Sequence, residues 1–162
     1  MKQELQDMIA ECATELTDIG SKLSGLSALD KTRSYLTKYA LIRACGTIEF
    51  VYRSIVADFF DQFNIGQIET YLEHTVRSGS MSCTYENMWK LLRKFDDNWE
   101  HNFKQAVSNH QDSNRLISSA RSLVNNRHLF AHGKTPTATY ADICQYYQDA
   151  LVLVGIFDSV VI

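Results

Sequence analysis

The chain has 162 residues, 45% of them apolar and 22% charged, which is the balance of a globular protein and excludes a disordered one. A formal net charge of −3 excludes a broad basic surface that would hold nucleic acid non-specifically, although a few local cations suffice to bind phosphate. One proline and seven glycines leave few breakers, so the punctuation favours long helices over strands and turns.

The four cysteines, Cys12, Cys45, Cys83 and Cys144, are widely spaced and form no C-x-x-C pair. They read as small buried hydrophobes in a reducing compartment rather than as a disulfide framework or a zinc site. Met1-Lys2-Gln3-Glu4 lacks the basic-then-apolar build of a signal peptide. The longest apolar run, residues 150–157, is too short to span a bilayer. The expectation is one cytoplasmic domain over residues 1–162, with no membrane partner.

Taken in order, Leu5, Met8, Ile9, Cys12, Leu16, Ile19, Leu23 and Leu26 recur at helical spacing, and Gly20 and Gly25 weaken the far end, which places the stop near Ser24. Asp30 is the expected N-cap of a second helix over residues 31–60, with Leu36, Ala40, Ala44, Ile48, Val51, Ile55 and Phe59 along one face. A second apolar line on that helix, Leu41, Cys45, Tyr52, Val56 and Phe60, is interrupted by the carboxylate of Glu49. Residues 64–78 read as a short helix ended by Ser78-Gly79-Ser80, and residues 84–95 and 98–108 as two more, joined at Asp96-Asp97. Residues 113–132 form another helix, with Gly133 as its C-cap. Thr139 and Asp142 then make a capping box, with Asp in place of the usual Glu, opening a last helix over residues 140–161. Its second half is apolar almost all round, so it is either the central element of the bundle or faces another protomer. No stretch alternates as a strand would. The fold expected is all-α, a helical bundle of about four main helices with short helices between them.

The helix over residues 113–132 carries the anomaly. Leu116, Ala120, Leu123 and Phe130 mark its buried stripe, and the position that continues the rhythm between Leu123 and Phe130 is Arg127. A parallel line through Ile117, Val124 and Ala131 has His128 where another apolar residue would fit. At about 100° per residue Arg127 falls near the middle of the inward arc and His132 near its edge. A guanidinium there is costly unless it is paired or faces a polar cleft.

The segment Leu123-Val124-Asn125-Asn126-Arg127-His128-Leu129-Phe130-Ala131-His132-Gly133 resembles the R-x4-H signature of the HEPN superfamily, an arginine followed by a polar residue and, a turn later, a histidine within an A-H-G ending. The early long helix with its acidic residue, Glu49, and the capped helix after the motif also fit, and the closest likeness is to the compact RiboL-PSP type of bacterial conflict systems. His128 stands where asparagine is commoner, and the asparagine stands at Asn126. The resemblance implies a HEPN-like fold and a metal-independent endoribonuclease without cofactor. It implies activity as a homodimer, with the Arg-His pairs of both protomers in one cleft. A toxin or antiphage effector acting on tRNA or another structured RNA fits that setting, as does a neutralising antitoxin or other partner protein.

The residue chemistry agrees. Cleaving RNA with its own 2′-hydroxyl needs a group to take that proton, one to protonate the 5′-oxygen, and positive charge on the phosphorane. Histidine is matched to proton transfer near neutral pH, and arginine offers a permanent forked cation. His132 is therefore assigned as general acid or base and Arg127 as the transition-state cation, with His128, Asn126 and Glu49 in support. Lying about 140° apart on the helix, Arg127 and His132 converge on one phosphate only through the length of arginine or across a two-fold axis.

Plainer readings stand beside these. Arg127 alone is a structural ion pair with Glu49; His132 alone is a helix-capping histidine. His128 and His132 are four apart, yet no H-E-x-x-H pattern and no further ligand at suitable spacing accompanies them, so no metal is expected. His74, His101 and His110 read as solvated, and Trp89, Trp99 and Phe103 as core. Lys134 and Arg121 are assigned to the RNA backbone, although they and Arg115 and Lys104 read equally as ordinary surface charges. The rival from another class is a catalytically silent helical module that holds a partner protein or a nucleotide.

Overall fold

The computed structural model describes residues 1–162. Seven α-helices and no strand make up the chain: α1 (Gln3–Ser24), α2 (Lys31–Asp61), α3 (Gly66–Leu72), α4 (Tyr85–Arg93), α5 (Asp97–Asn109), α6 (Ser113–Ala131) and α7 (Tyr140–Val160). The all-α expectation holds, and the main helix boundaries fall within a residue or so of those the apolar spacing predicts.

Asp30 caps α2 as the sequence implies, its side chain accepting from the Thr32 N–H. Thr84 and Asp96, read from the sequence as a helix residue and a joint, are caps as well, Thr84 accepting from Asn87 and Asp96 from Asn98 and Trp99. Each satisfies an orphan donor of a first helical turn. Residues 64–78 differ from expectation. Asn64 adopts a positive φ of 52°, α3 starts only at Gly66, and a single π-helical turn, Glu73–Arg77, follows it. A one-residue widening of a turn leaves no trace in apolar periodicity. Here it accompanies a guanidinium, that of Arg77, meeting Asp58 of α2 at 2.5 Å.

The buried apolar residues form one cluster, and α7 is its axis. This helix packs along α6 and α2, touches α5, and donates a hydrogen bond from the Tyr147 hydroxyl to the Ile9 carbonyl of α1 at 3.1 Å. Of the two roles open to so apolar a helix, it takes the central one. Gly20 does not end α1; a Cβ there would stand 2.9 Å from the Tyr140 hydroxyl oxygen, so its bare backbone seats the ring that opens α7. Tyr140 in turn donates to the Leu16 carbonyl. The α6–α7 seam holds a buried polar link, Ser119 donating to Asp149 at 2.7 Å, with Gln145 and Arg115 on the other carboxylate oxygen. Trp99 and Phe103 lie in the core and Trp89 packs against it.

The capping box of α7 is complete: Asp142 N–H donates to Thr139 Oγ1, and Thr139 N–H returns to the Asp142 carboxylate at 2.8 Å. The Thr139 hydroxyl and then its backbone N–H hold the Asp142 carboxyl below its ordinary range. Asp142→Ala is expected to lower stability by about 1 kcal/mol at neutral pH. Because the folded-state value is depressed, that contribution is present above the unfolded carboxylate range and is lost as pH falls through the folded value. Thermal melts should show the gap between wild type and variant closing in acid; a gap that persists there would refute the assignment.

Candidate active site

On α6 the apolar line Leu116, Ala120 and Leu123 is fully buried, and it carries the helix against α2 and α7. The next position, Arg127, comes out at the edge of this face rather than near its middle. Its side chain is 28% exposed and reaches across to Glu49 of α2, with Nη2 2.7 Å from Oε1. The two chain interruptions read from the sequence therefore answer each other. The pair is single-pronged: Nη1 has no partner in the chain, and Nε is buried without one. A guanidinium held by one of its three nitrogens keeps donors for another anion.

Beneath the pair lie two thiols. The Cys45 Sγ is 3.6 Å from the same Glu49 oxygen and 3.8 Å from the Cys83 Sγ. The Cys83 thiol is held well above the ordinary thiol range, first by its contact with Cys45 and then by burial. Three donor atoms, from Cys45, Glu49 and Cys83, thus lie within 4.8 Å of one another, a grouping invisible in the linear spacing. A cation there would have to strip protons from enclosed thiols and compete with Arg127 for the carboxylate. The cluster fits a neutral floor that fixes Glu49 better than it fits a metal seat.

Above the pair opens a cleft of about 450 Å³, lined by Glu49, Arg127, His128, Asn87 and the turn residues Ser80 and Ser82. The turn is pinned from below, where the buried Tyr52 hydroxyl donates to the Met81 carbonyl at 3.0 Å, and from the side, where Asn87 donates to the Ser82 hydroxyl at 2.8 Å. Sequence reasoning misses Ser80, Ser82, Asn87 and Tyr52 as site residues. The two serines are signalled only by the break at residues 78–84, which reads simply as a stop, and Tyr52 and Asn87 read as ordinary helix residues.

His128 is exposed at the cleft wall, and its imidazole is free of hydrogen bonds within the chain. His132 is exposed, lies outside the lining of this cleft, and is itself the cap residue of α6, one position before the Gly133 that the sequence implies. Gly133 follows with φ of +72°; its N–H donates to Phe130 and that of Lys134 to Leu129, the paired bonds of a Schellman stop. Asn126 faces neither Arg127 nor His132 through a hydrogen bond. It is buried, its amide donates to the Ser122 carbonyl, and its oxygen accepts from the N–H groups of Thr137 and Ala138 at 2.8 and 2.9 Å. Its support is thus to the loop leaving the motif. Lys134 is exposed, while Arg121 pairs with Glu86 at 2.6 Å. One chain therefore brings together Arg127, Glu49 and His128, and leaves His132 apart from them.

HEPN domains are all-α, and this bundle carries its charged cleft at the end of a helix with the R-x4-H spacing. The RiboL-PSP-HEPN family model matches residues 7–162, and the chain belongs to that family. HEPN domains are frequently ribonucleases. No curated protein and no solved structure matches the chain.

The pair also sets a stability test. Glu49→Ala strands a half-buried guanidinium and is expected to cost about 1–3 kcal/mol in urea denaturation. Arg127→Met in the same background should recover most of that loss, since the stranded charge is gone. Equal stability of Glu49→Ala and wild type would show that the pair holds nothing.

Proposed function

We propose that this protein is a metal-independent endoribonuclease that acts as a homodimer. The observation that carries the reading is the half-engaged Arg127, a fixed cation with free donors on the wall of a polar cleft, within about one turn of α6 from two exposed imidazoles. In this reading the substrate 2′-oxygen attacks the adjacent phosphorus, the P–O5′ bond breaks, and the products end in a 2′,3′-cyclic phosphate and a 5′-hydroxyl. Arg127 stabilises the charge on the phosphorane, Glu49 holds its guanidinium, and His132 either takes the 2′-hydroxyl proton as general base or gives a proton to the departing 5′-oxygen as general acid, with water serving the other transfer. His128 lines the same cleft and supports the substrate, and Asn126 fixes the loop behind it. Lys134 is free to approach the RNA backbone; Arg121 does so only by releasing Glu86. A bacterial toxin or antiphage effector acting on tRNA or another structured RNA is the role that fits the family resemblance, and such an effector would call for a neutralising partner.

Dimerisation is proposed because the site is incomplete in one chain. Tyr35, Tyr39 and Ile42 form an exposed stripe on α2 at helical spacing, 67%, 53% and 40% accessible. Phe130, within the motif itself, is 38% exposed and joins them through Lys38, whose Nζ lies 5.9 Å from the rings of both Tyr35 and Phe130. A two-fold axis through this patch would cover it with a second copy and bring that copy's His132 toward the cleft.

Purified protein incubated with total RNA in EDTA should yield cyclic-phosphate ends, and Arg127→Ala or His132→Ala should reduce the rate by about 10²-fold or more while leaving a folded dimer. Undiminished cleavage by either variant removes its assignment. If the two groups act across the axis, mixing the two inactive variants should restore about a quarter of wild-type activity, since half the dimers are mixed and each has one intact site. No recovery on mixing would place both groups in the same chain's site, and Tyr39→Glu that stays dimeric by light scattering would rule out the α2 stripe as the interface. A protein that binds a partner but never cleaves RNA would instead be the silent HEPN module.

A further inference from the structure

Directly behind the turn that walls the cleft lies a second cavity of about 240 Å³. Its cations are Arg53 and Lys94, its rings Tyr71 and Phe95, and its rim Ser80 and Met81, which it shares with the cleft. Arg53 is set apart from the other arginines. Arg43, Arg77, Arg93, Arg115, Arg121 and Arg127 each meet a carboxylate, and Arg33 donates to two carbonyls. Arg53 has only its Nε engaged, 2.8 Å from the Glu49 carbonyl, so both terminal amino groups are free inside a concave site. Lys94, exposed on the opposite lip, also has no carboxylate within ion-pair reach. In a chain of net charge −3 that neutralises most of its arginines, two unpaired cations facing one hollow mark a place for an anion.

The rest of the lining suits a nucleotide better than a bare phosphate. Tyr71 is 63% exposed at the mouth, with its hydroxyl unbonded, and Phe95 and Met81 add flat and polarisable apolar surface. Ser80 supplies a hydroxyl group at the edge, where that of Thr75 donates to the Tyr71 carbonyl. Arg53 lies one turn of α2 beyond Glu49, about 6 Å along the axis, which is close to one nucleotide step. A strand whose scissile phosphate lies at Arg127 would cross Ser80 and Met81 with its next nucleotide at Arg53.

We propose that this cavity is a subsite for the nucleotide adjoining the cleaved bond, gripping its phosphate with Arg53 and Lys94 and stacking its unpaired base on Tyr71 or Phe95. The proposal rests on the ribonuclease reading and narrows it, because a base held in this way must be unpaired: the substrate is cut in a single-stranded loop or end. Arg53 and Lys94 are binding residues here, not catalytic ones.

The test is fluorescence anisotropy with a labelled single-stranded RNA hexamer in EDTA, using full-length protein carrying His132→Ala so that the probe stays intact. Adding Arg53→Gln and Lys94→Gln together should weaken binding at least tenfold and flatten the salt dependence by about 0.7 for each phosphate no longer neutralised. Arg53→Lys should restore much of the salt slope, and Tyr71→Leu should weaken binding about fivefold or more with the slope unchanged. A hexamer locked in a duplex should bind less tightly than the single strand. Cavity variants that bind like the parent, while the wild type still cleaves RNA, would overturn the subsite and leave the nuclease standing. Inorganic phosphate that displaces the hexamer at equal phosphate concentration, with Tyr71→Leu neutral, would overturn the nucleotide assignment in favour of a plain anion pocket. RNA neither bound nor cleaved by the wild type would remove the ribonuclease reading and the subsite with it.

Discussion

One charge pair sets the shape of everything near it. Glu49 and Arg127 are 78 residues apart in the chain and 2.7 Å apart in space, and they meet where the hydrocarbon packing of α2, α6 and α7 gives out. Each alone would be a poor choice for its position, since a lone charge at the edge of a core is desolvated with nothing in return. Together they tie the last turns of α6 to the middle of α2. The bond is to one oxygen and one nitrogen, with the Cys45 thiol on the same oxygen. A forked, two-bond pair would have consumed the guanidinium; this geometry fixes it while leaving donors free.

That compromise depends on a rigid surround. Asn126, adjacent in sequence, points the other way and is spent on three acceptor contacts with Thr137 and Ala138. Gly133 reverses the chain so that two of the carbonyls left over at the end of α6 are met by backbone N–H groups. On the far side of the cleft the turn through Ser80 to Ser82 has no secondary structure of its own, and it is held instead by Tyr52 and Asn87. Burial pushes the Tyr52 hydroxyl above its ordinary value, in keeping with its role as a donor to the turn. The cleft is therefore walled on one side by helix residues and on the other by a turn whose geometry is imposed by buried side chains, the arrangement that pre-forms a cleft.

Much of this is legible in the sequence because helices announce themselves through a short period. The stripes on α1, α2 and α6, the caps at Asp30 and Thr139, and the stop at Gly133 all arise from contacts within a few residues, and periodic reading catches such contacts. The Glu49–Arg127 pair is legible for a related reason, as two breaks in otherwise apolar lines. What escapes is non-local. No spacing rule brings Cys83 beside Cys45, or predicts that Asn126 is claimed by a loop eleven residues on. The π-helical turn at Glu73–Arg77 escapes because it keeps Leu72 and Val76 inward, so the apolar pattern looks like an ordinary helix. The second cavity escapes because its members come from α2, α3, the π-helical turn, the polar turn and the end of α4, and each reads alone as a commonplace residue.

The charge inventory bears on how an acidic chain would meet a polyanion. Broad attraction is closed to it, and most of its arginines are spent on its own carboxylates, so any affinity for RNA must come from cations left unpaired in particular places. Arg127 with its Nη1 unpartnered and Arg53 with two open amino groups are such places, the first held by Glu49 of α2 and the second one turn further along that helix, on either side of a pinned turn. Binding of that kind is short-ranged and geometric: it favours a strand whose phosphates fall at the right interval and whose bases are free to turn out, and it leaves regular duplex unheld. Under the proposed ribonuclease reading, selectivity and low net charge are two sides of one constraint, because a more basic surface would hold every RNA equally well and leave the cleft nothing to decide.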